Sequence, residues 1–328
     1  MQRRCSVIMR RGLIRGVICL LLVFMLSGAA ATAYAAASDA PEWIKRVDGI
    51  ADDPRAEEAA KAAEELEKWR AEKAQKRVPI LLYHHITNEE FSREESISLI
   101  TPEDFRLHMT AIRVHFNPIS LRDYYNYVMC DDGSVNIPDN PIIVTFDDGY
   151  LSNYEIAYPI LKELEIPATI FVVTDTVGEI GGAGKVNHSH FTWEQAREME
   201  ASGLIEIQSH TAGHVKMSEQ SRGEQIRQLR KSKYDIEKNL GHACDMIAYP
   251  FGDYTPDIKQ VARDSGYKMQ LLVDDKTSEE DYMVNVPSEG VENITRMTIA
   301  GSMGNVNVID IIRKTINKKN TMMASAAD

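Results

Sequence analysis

Cysteine is scarce in this chain of 328 residues: there are four, and Cys5 and Cys19 fall within the first twenty positions. The remaining pair, Cys130 and Cys244, allows at most one internal disulfide, so a fold stapled by several bridges is excluded. Cys244, close to the strand that enters Pro250, reads equally well as a buried thiol. Cations are also in deficit: 37 Lys and Arg face 49 Asp and Glu, a formal charge of −12, which disfavours nucleic acid and other polyanionic partners. Trp43, Trp69 and a few leucines are too sparse for the charged stretch around them to be a long coiled coil. No cysteine follows the N-terminal apolar run at a lipidation position, which argues against a lipoprotein, and no histidine follows His242.

What is present suits one large domain with extensions, since 44% of the residues are hydrophobic. Residues 1–37 read as a signal peptide or a membrane anchor. Arg3, Arg4, Arg10, Arg11 and Arg15 form a basic start, Val17 to Leu26 is apolar, and Ala33-Tyr34-Ala35 resembles a small-residue cleavage site. The uncharged stretch from Gly16 to Ser38 is long enough to span a bilayer, so an uncleaved anchor stays open. Loss of residues 1–35 removes five arginines and no acids, moving the charge to −17. Residues 38–77 are a charged spacer, in which Asp52 to Arg77 reads as an exposed helix with i,i+4 charge pairs, either lifting the main domain off a surface, packing loosely on it or partly disordered. Residues 78–320 form the main domain, where short apolar strands alternate with helical patterns. Thr101 and Thr192 cap helices, and Val308, Ile312 and Ile316 face the core from a last helix whose wet side carries Arg313, Lys314, Lys318 and Lys319. Residues 321–328 read as a disordered tail.

The chemistry concentrates at strand ends. Ile142-Ile143-Val144 runs into Thr145-Phe146-Asp147-Asp148-Gly149-Tyr150. Two adjacent acids there need a cation beside them, and a metal held by one carboxylate leaves the other free to move protons; a simple Asp-Gly turn is the plainer alternative. A second strand, Ile205 to Ser209, ends at His210, with His214 four residues on, and neutral imidazoles are common metal ligands. Pro79 to Tyr83 runs into His84 and His85, and Met246 to Ala248 runs into Tyr249-Pro250-Phe251-Gly252. In a parallel α/β barrel these ends share one rim, where active sites form.

These segments resemble carbohydrate esterase family 4, the NodB-type polysaccharide deacetylases. Thr145 to Tyr150 matches that family's first motif, and Ser209 to His214 its second. Leu82-Tyr83-His84-His85-Ile86 looks like the Y-H-x-I signature of the branch containing poly-N-acetylglucosamine deacetylases, and Phe191 to Gln195 looks like a Trp-bearing helix start. The resemblance implies a distorted, incomplete (β/α) barrel. Two departures stand out. The third motif, R-x-P-Y, reads Ala248-Tyr249-Pro250-Phe251, without its arginine; the fifth, L-x-H, has no histidine, and Ile294-Thr295-Arg296-Met297 occupies its region. Arg296 is a candidate replacement for that arginine.

By this resemblance Asp148, His210 and His214 hold a divalent ion, zinc foremost and cobalt or nickel as alternatives. Asp147 is the general base, His84 the general acid, and the backbone N–H of Phe251 an oxyanion donor, with Tyr249, Pro250 and Trp193 along the substrate groove. The implied protein is an exported, secreted or surface-anchored monomer that removes N-acetyl groups from N-acetylglucosamine glycans, with no nucleic-acid partner and membrane contact only through the N-terminus. An O-acetyl glycan esterase, an idle glycan-binding domain and a non-haem iron oxygenase, which also uses two histidines and a carboxylate, are the competing readings. His85 reads as a surface or core partner, His188 and His190 as surface-loop residues, Trp193 also as packing, and Tyr150 as packing or groove lining.

Overall fold

The computed structural model describes residues 54–90, 98–181, 188–273, 284–299, 301 and 308–325. The expected signal or anchor at 1–37 lies outside them. The chain divides into two units between Lys68 and Trp69. Helix α1, Pro54–Gln75, supplies the described part of the first unit, where residues 61–68 are mostly exposed. No described helix is long and apolar enough to cross a membrane.

The second unit is built on a curled mixed sheet backed by helices, an incomplete barrel. Its strands are β1 (Val78–Tyr83), β5 (Pro141–Phe146), β6 (Ala168–Val172), β7 (Ile205–Ser209), β8 (Met246–Ala248) and β9 (Met269–Leu271), all parallel in the order β1-β5-β6-β7-β8-β9. The runs of Ile, Val and Leu in β1 and β5 are buried throughout, as parallel strands covered on both faces must be. Short strands complete the set: β2 (His85–Ile86) with β3 (Leu99–Ile100), and β4 (Asn117–Pro118) beside β5. The expectation of strands all pointing one way needs correction at one edge, because β10 (Val284–Asn285) lies antiparallel to β1.

The last strand, β11 (Met297–Thr298), runs parallel to β1, while Ile294 just before it bridges to Leu271 of β9. Segment 294–298 therefore touches both edges of the sheet and carries Arg296 into the interior between them. Side chains on the outer faces of β1, β5, β6 and β7 pack with the helices into one large apolar cluster. The inner faces are more polar, with Thr145, Thr169, Gln208 and Gln270 buried among the strands.

The helices begin where local chemistry allows. Thr101 caps α2 (Pro102–His115) by accepting from the Asp104 N–H, and Thr192 makes a full capping box with Gln195 at α5 (Trp193–Ala201). Helices α3 (Leu121–Met129), α4 (Tyr158–Glu163), α6 (Arg222–Leu240) and α7 (Pro256–Asp264) fill the crossovers. Helix α8, Val308–Ser325, runs five residues beyond Asn320, so the expected tail begins later than the sequence suggested. Lys319, expected on its wet side, is buried and pairs with Glu289 at 2.9 Å.

The domain also begins earlier than residue 78. Trp69 of α1 is buried, donating its indole N–H to Asn136 Oδ1 at 2.9 Å and to the Val135 carbonyl at 3.2 Å. Lys73 lies over its ring and donates to the Val128 and Cys130 carbonyls. The last turns of α1 thus belong to the second unit. Cys130 and Cys244 are both free and buried, and burial pushes the Cys244 thiol up to about 12.

Candidate active site

Strand β5 does not stop at Phe146: the Asp147 N–H donates to the Tyr83 carbonyl, extending the ladder by one residue. Alternation then sends the Asp147 side chain inward with Thr145. Arg296 meets it there with a two-pronged bond, Nη1 to Oδ1 at 2.6 Å and Nη2 to Oδ2 at 2.7 Å. Both partners are out of solvent, at 0% and 1% exposure. Arg296 also donates to the Leu272 carbonyl and lies over the Phe171 ring. The guanidinium that the third motif lacks therefore arrives from the residue just before β11, between the pairings with β9 and β1.

Asp148 leaves the strand in the left-handed region, φ 71°, followed by Gly149 at 81°. That reversal turns its carboxylate from the interior to the mouth. Strand β7 ends similarly: the His210 N–H donates to the Val172 carbonyl, and left-handed Thr211 and His214 curl the chain so that both imidazoles face one point. His214 Nε2 lies 3.2 Å from Asp148 Oδ1, and His210 Nε2 lies 3.6 Å from the same oxygen and 3.7 Å from Asp147 Oδ2. One ligand atom from each of Asp148, His210 and His214 falls within 4.8 Å of the others, the one such group among the described residues.

The donor set fits a divalent cation. His210 Nδ1 sits 2.9 Å from the Ala248 carbonyl, which can only accept, so the ring proton is on Nδ1 and the Nε2 lone pair points at two carboxylate oxygens. Burial lowers His210 to about 4, against the pull of Asp147 and Asp148, so the ring is neutral at pH 7. A lone pair facing buried carboxylates repels them unless a cation lies between. Asp148 Oδ1 is buried and lacks a hydrogen-bond partner other than these imidazoles.

Burial alone would raise both carboxyls. For Asp147 the charge of Arg296 and its two-pronged bond outweigh it, and for Asp148 the bond to His214 does so; both sit below their ordinary values. His214 moves up, because its bond to Asp148 exceeds its own burial penalty. His84 follows β1 immediately, and β1 pairs with β5, the strand that leads into the two acids. His84 accepts at its carbonyl from Asn153 Nδ2 at 2.8 Å, and its Nδ1 is buried without a partner.

Phe251 borders the mouth. Its ring centroid is 4.6 Å from that of His214, edge to face, and 47% of the residue is exposed. It sits at φ 58° ahead of Gly252, where a Cβ would overlap the Val273 carbonyl oxygen, so glycine is required there. Two groove assignments need correction. Tyr249 is fully buried, with its hydroxyl donated to Gln270 Oε1 at 2.7 Å, so it cannot reach a glycan. Pro250 is buried and opens the turn that aims Phe251. Trp193 is partly buried against the core in the first turn of α5, and no hydrogen bond or ring contact joins it to the metal-site residues.

The histidines read as bystanders form part of the wall. His190 is half-buried, stacks on Tyr150 at 5.1 Å and feels the charge of Asp148. His85 is buried, with Nδ1 2.8 Å from Ser152 Oγ, and packs on Tyr150 and the exposed His188. The Tyr150–His190 bridge and the Leu151 N–H bond to the Ser189 carbonyl join residues some forty positions apart, which a local motif search could not see.

Residues 134–270, which run from just before β5 into β9, match the polysaccharide deacetylase family. Among the chain's relatives is YxkH of Bacillus subtilis, named as a polysaccharide deacetylase, 25% identical over 80% of this chain and 88% of that one. A poly-beta-1,6-N-acetyl-D-glucosamine N-deacetylase of Staphylococcus aureus is 31% identical over 42% of this chain, and the match spans half of that enzyme's length. The Streptococcus pyogenes deacetylase PplD superposes with a TM-score of 0.59 at 25% identity, over 72% of this chain and 98% of its own. IcaB from Ammonifex degensii gives 0.58 at 24% identity, over 73% and 96%, and supports the fold.

Proposed function

We propose that this chain is an exported, metal-dependent N-deacetylase of glycans containing N-acetylglucosamine. The observation that carries the reading is the tautomer-fixed His210, whose lone pair faces Asp147 and Asp148 in a buried pocket completed by His214. Asp148, His210 and His214 would hold the ion, zinc foremost with cobalt or nickel as alternatives; when bound it polarises a carbonyl and makes a water acidic enough to attack at neutral pH.

The chain's own groups supply the rest. Asp147, ionised and fixed by Arg296, accepts the proton of the attacking water. Arg296 bonds both oxygens of that carboxylate, which fixes its plane. His84 donates a proton to the departing sugar nitrogen. The Phe251 N–H, presented by a left-handed turn at the rim, donates to the developing oxyanion. The exposed Phe251 ring, set against His214, offers an apolar surface beside the candidate site.

Filling of the arginine position by Arg296 speaks against the idle-domain reading. The N-acetyl substrate rests on the staphylococcal relative, and the extracytoplasmic location rests on the same kinship together with the basic, apolar N-terminus. The test is acetate release from N-acetylglucosamine oligomers, run beside O-acetylated xylan, with zinc, cobalt or nickel present. Release from the amide substrate with loss in Asp147→Asn and His210→Ala supports the proposal. No release under any of the three metals removes it, and release from xylan alone transfers the chain to ester hydrolysis.

A further inference from the structure

We propose that helix α6 is the scaffold that sets metal affinity, with Gln228 and Ser232 as positioning residues for the turn between the two metal-site histidines. This rests on the metal reading above. The turn is costly to hold. Thr211 and His214 both have left-handed φ, 67° and 50°, and for a β-branched residue such as Thr211 this is an outlier that surrounding bonds must over-determine.

Four backbone groups of the turn are tied down. The Thr211 carbonyl accepts from the Thr174 N–H at 3.3 Å, and the Ala212 carbonyl accepts from the Asp175 N–H at 2.9 Å. The other two ties lead to α6. The Gly213 N–H donates to Gln228 Oε1 at 2.7 Å, next to His214. The Thr211 N–H, next to His210, donates to Ser209 Oγ at 3.2 Å, and Ser209 Oγ lies 2.7 Å from Ser232 Oγ.

Gln228 and Ser232 are one helical turn apart, so they project from the same face of α6 onto both ends of the histidine turn. Both are out of solvent, and each is itself oriented. Gln228 Nε2 donates to Glu224 Oε1 at 2.9 Å, fixing which end of the amide faces Gly213. Ser232 Oγ reaches the Leu229 carbonyl and lies 3.0 Å from the Tyr267 hydroxyl. A Cβ at position 213 would meet Gln228 Nε2 at 3.3 Å, so glycine there lets the amide approach the turn closely. Neither residue touches the pocket. Their effect runs through the backbone torsions that aim the two imidazoles.

The test titrates metal-free protein with Co(II), reading the visible absorption of the bound ion and its dissociation constant by chelator competition. Outer-shell partners of metal ligands are worth about 10- to 100-fold in affinity, so Gln228→Met should bind Co(II) at least about tenfold more weakly, with an altered spectrum. The swapped pair Glu224→Gln/Gln228→Glu, which keeps an acceptor toward Gly213 and a donor at 224, should recover to within about threefold of wild type. Ser232→Ala should weaken binding in the same direction, and it decides the matter if Gln228→Met does not fold. Wild-type affinity and spectrum in Gln228→Met and Ser232→Ala would overturn the inference while leaving the metal reading standing. A wild-type protein that gives no Co(II) spectrum would overturn the metal reading itself.

Discussion

Replacing Arg296 with methionine removes the cation from a carboxylate that is 1% exposed and leaves Asp147 with no other charged donor of that kind. Breaking a buried ion pair from one side costs about 3–5 kcal/mol, because the remaining charge is uncompensated. Asp147 relieves that cost by taking up a proton: burial is already its largest single influence, and with Arg296 gone it is no longer outweighed and drives the pKa upward. A protonated, untethered Asp147 no longer accepts a proton from water, so activity should fall by about 10²–10⁴-fold, the usual worth of a general base. Arg296→Lys keeps the charge but loses the fork and should fall between the two. The assay pairs acetate release with urea unfolding in wild type, Arg296→Met, Asp147→Asn and the double variant. Arg296→Met should cost less stability in the Asp147→Asn background than in the wild type, since no buried anion is then stranded. Activity of Arg296→Met within about threefold of wild type, far below the general-base range, would refute the reasoning.

Other outcomes follow from neighbouring groups. His84→Gln should reduce turnover by about 10²–10⁴-fold while leaving the Co(II) dissociation constant unchanged, as measured by steady-state kinetics beside metal titration. His85 is lowered by burial to about 4 from an ordinary value near 6.5. The unfolded chain therefore binds more protons than the folded one between those values, and stability contributed by the neutral ring is present above about 6.5 and lost as pH falls toward 4. His85→Gln should make the unfolding free energy less steep across that window, by up to about 1.4 kcal/mol per pH unit. Trp69→Ala, which removes a buried indole and its two hydrogen bonds, should cost about 3 kcal/mol or more in urea unfolding, and a chain beginning at Val78 should show a comparable loss.

Much of the site was readable in the sequence because its ligands sit at strand ends, where the approach is local. A run such as Ile142-Ile143-Val144 before two acids fixes both the direction and the end of a strand, and the same logic finds His210 and His214. Strands alternating with capped helices pointed to a parallel β/α arrangement, while its incomplete, curled form was implied by the family resemblance. Arg296 was harder. Its place depends on a short segment pairing with β9 at Ile294 and with β1 at Met297, two long-range contacts that no local pattern encodes. Tyr249 was misplaced for a similar reason. A residue one step past a strand is directed by the turn that follows, and here the left-handed Phe251 takes the rim while Tyr249 stays inside with Gln270. The docking of Trp69 was masked by composition, since a helix rich in Ala, Glu and Lys looks solvated along its whole length.

The most direct measurement is an anomalous-difference map from crystals of the protein grown with zinc and collected at the zinc edge. The account calls for one strong peak bonded to Asp148, His210 and His214, at about 2.0–2.2 Å from each ligand atom. A map with no peak there, or with the ion held elsewhere while these three side chains point apart, would contradict it.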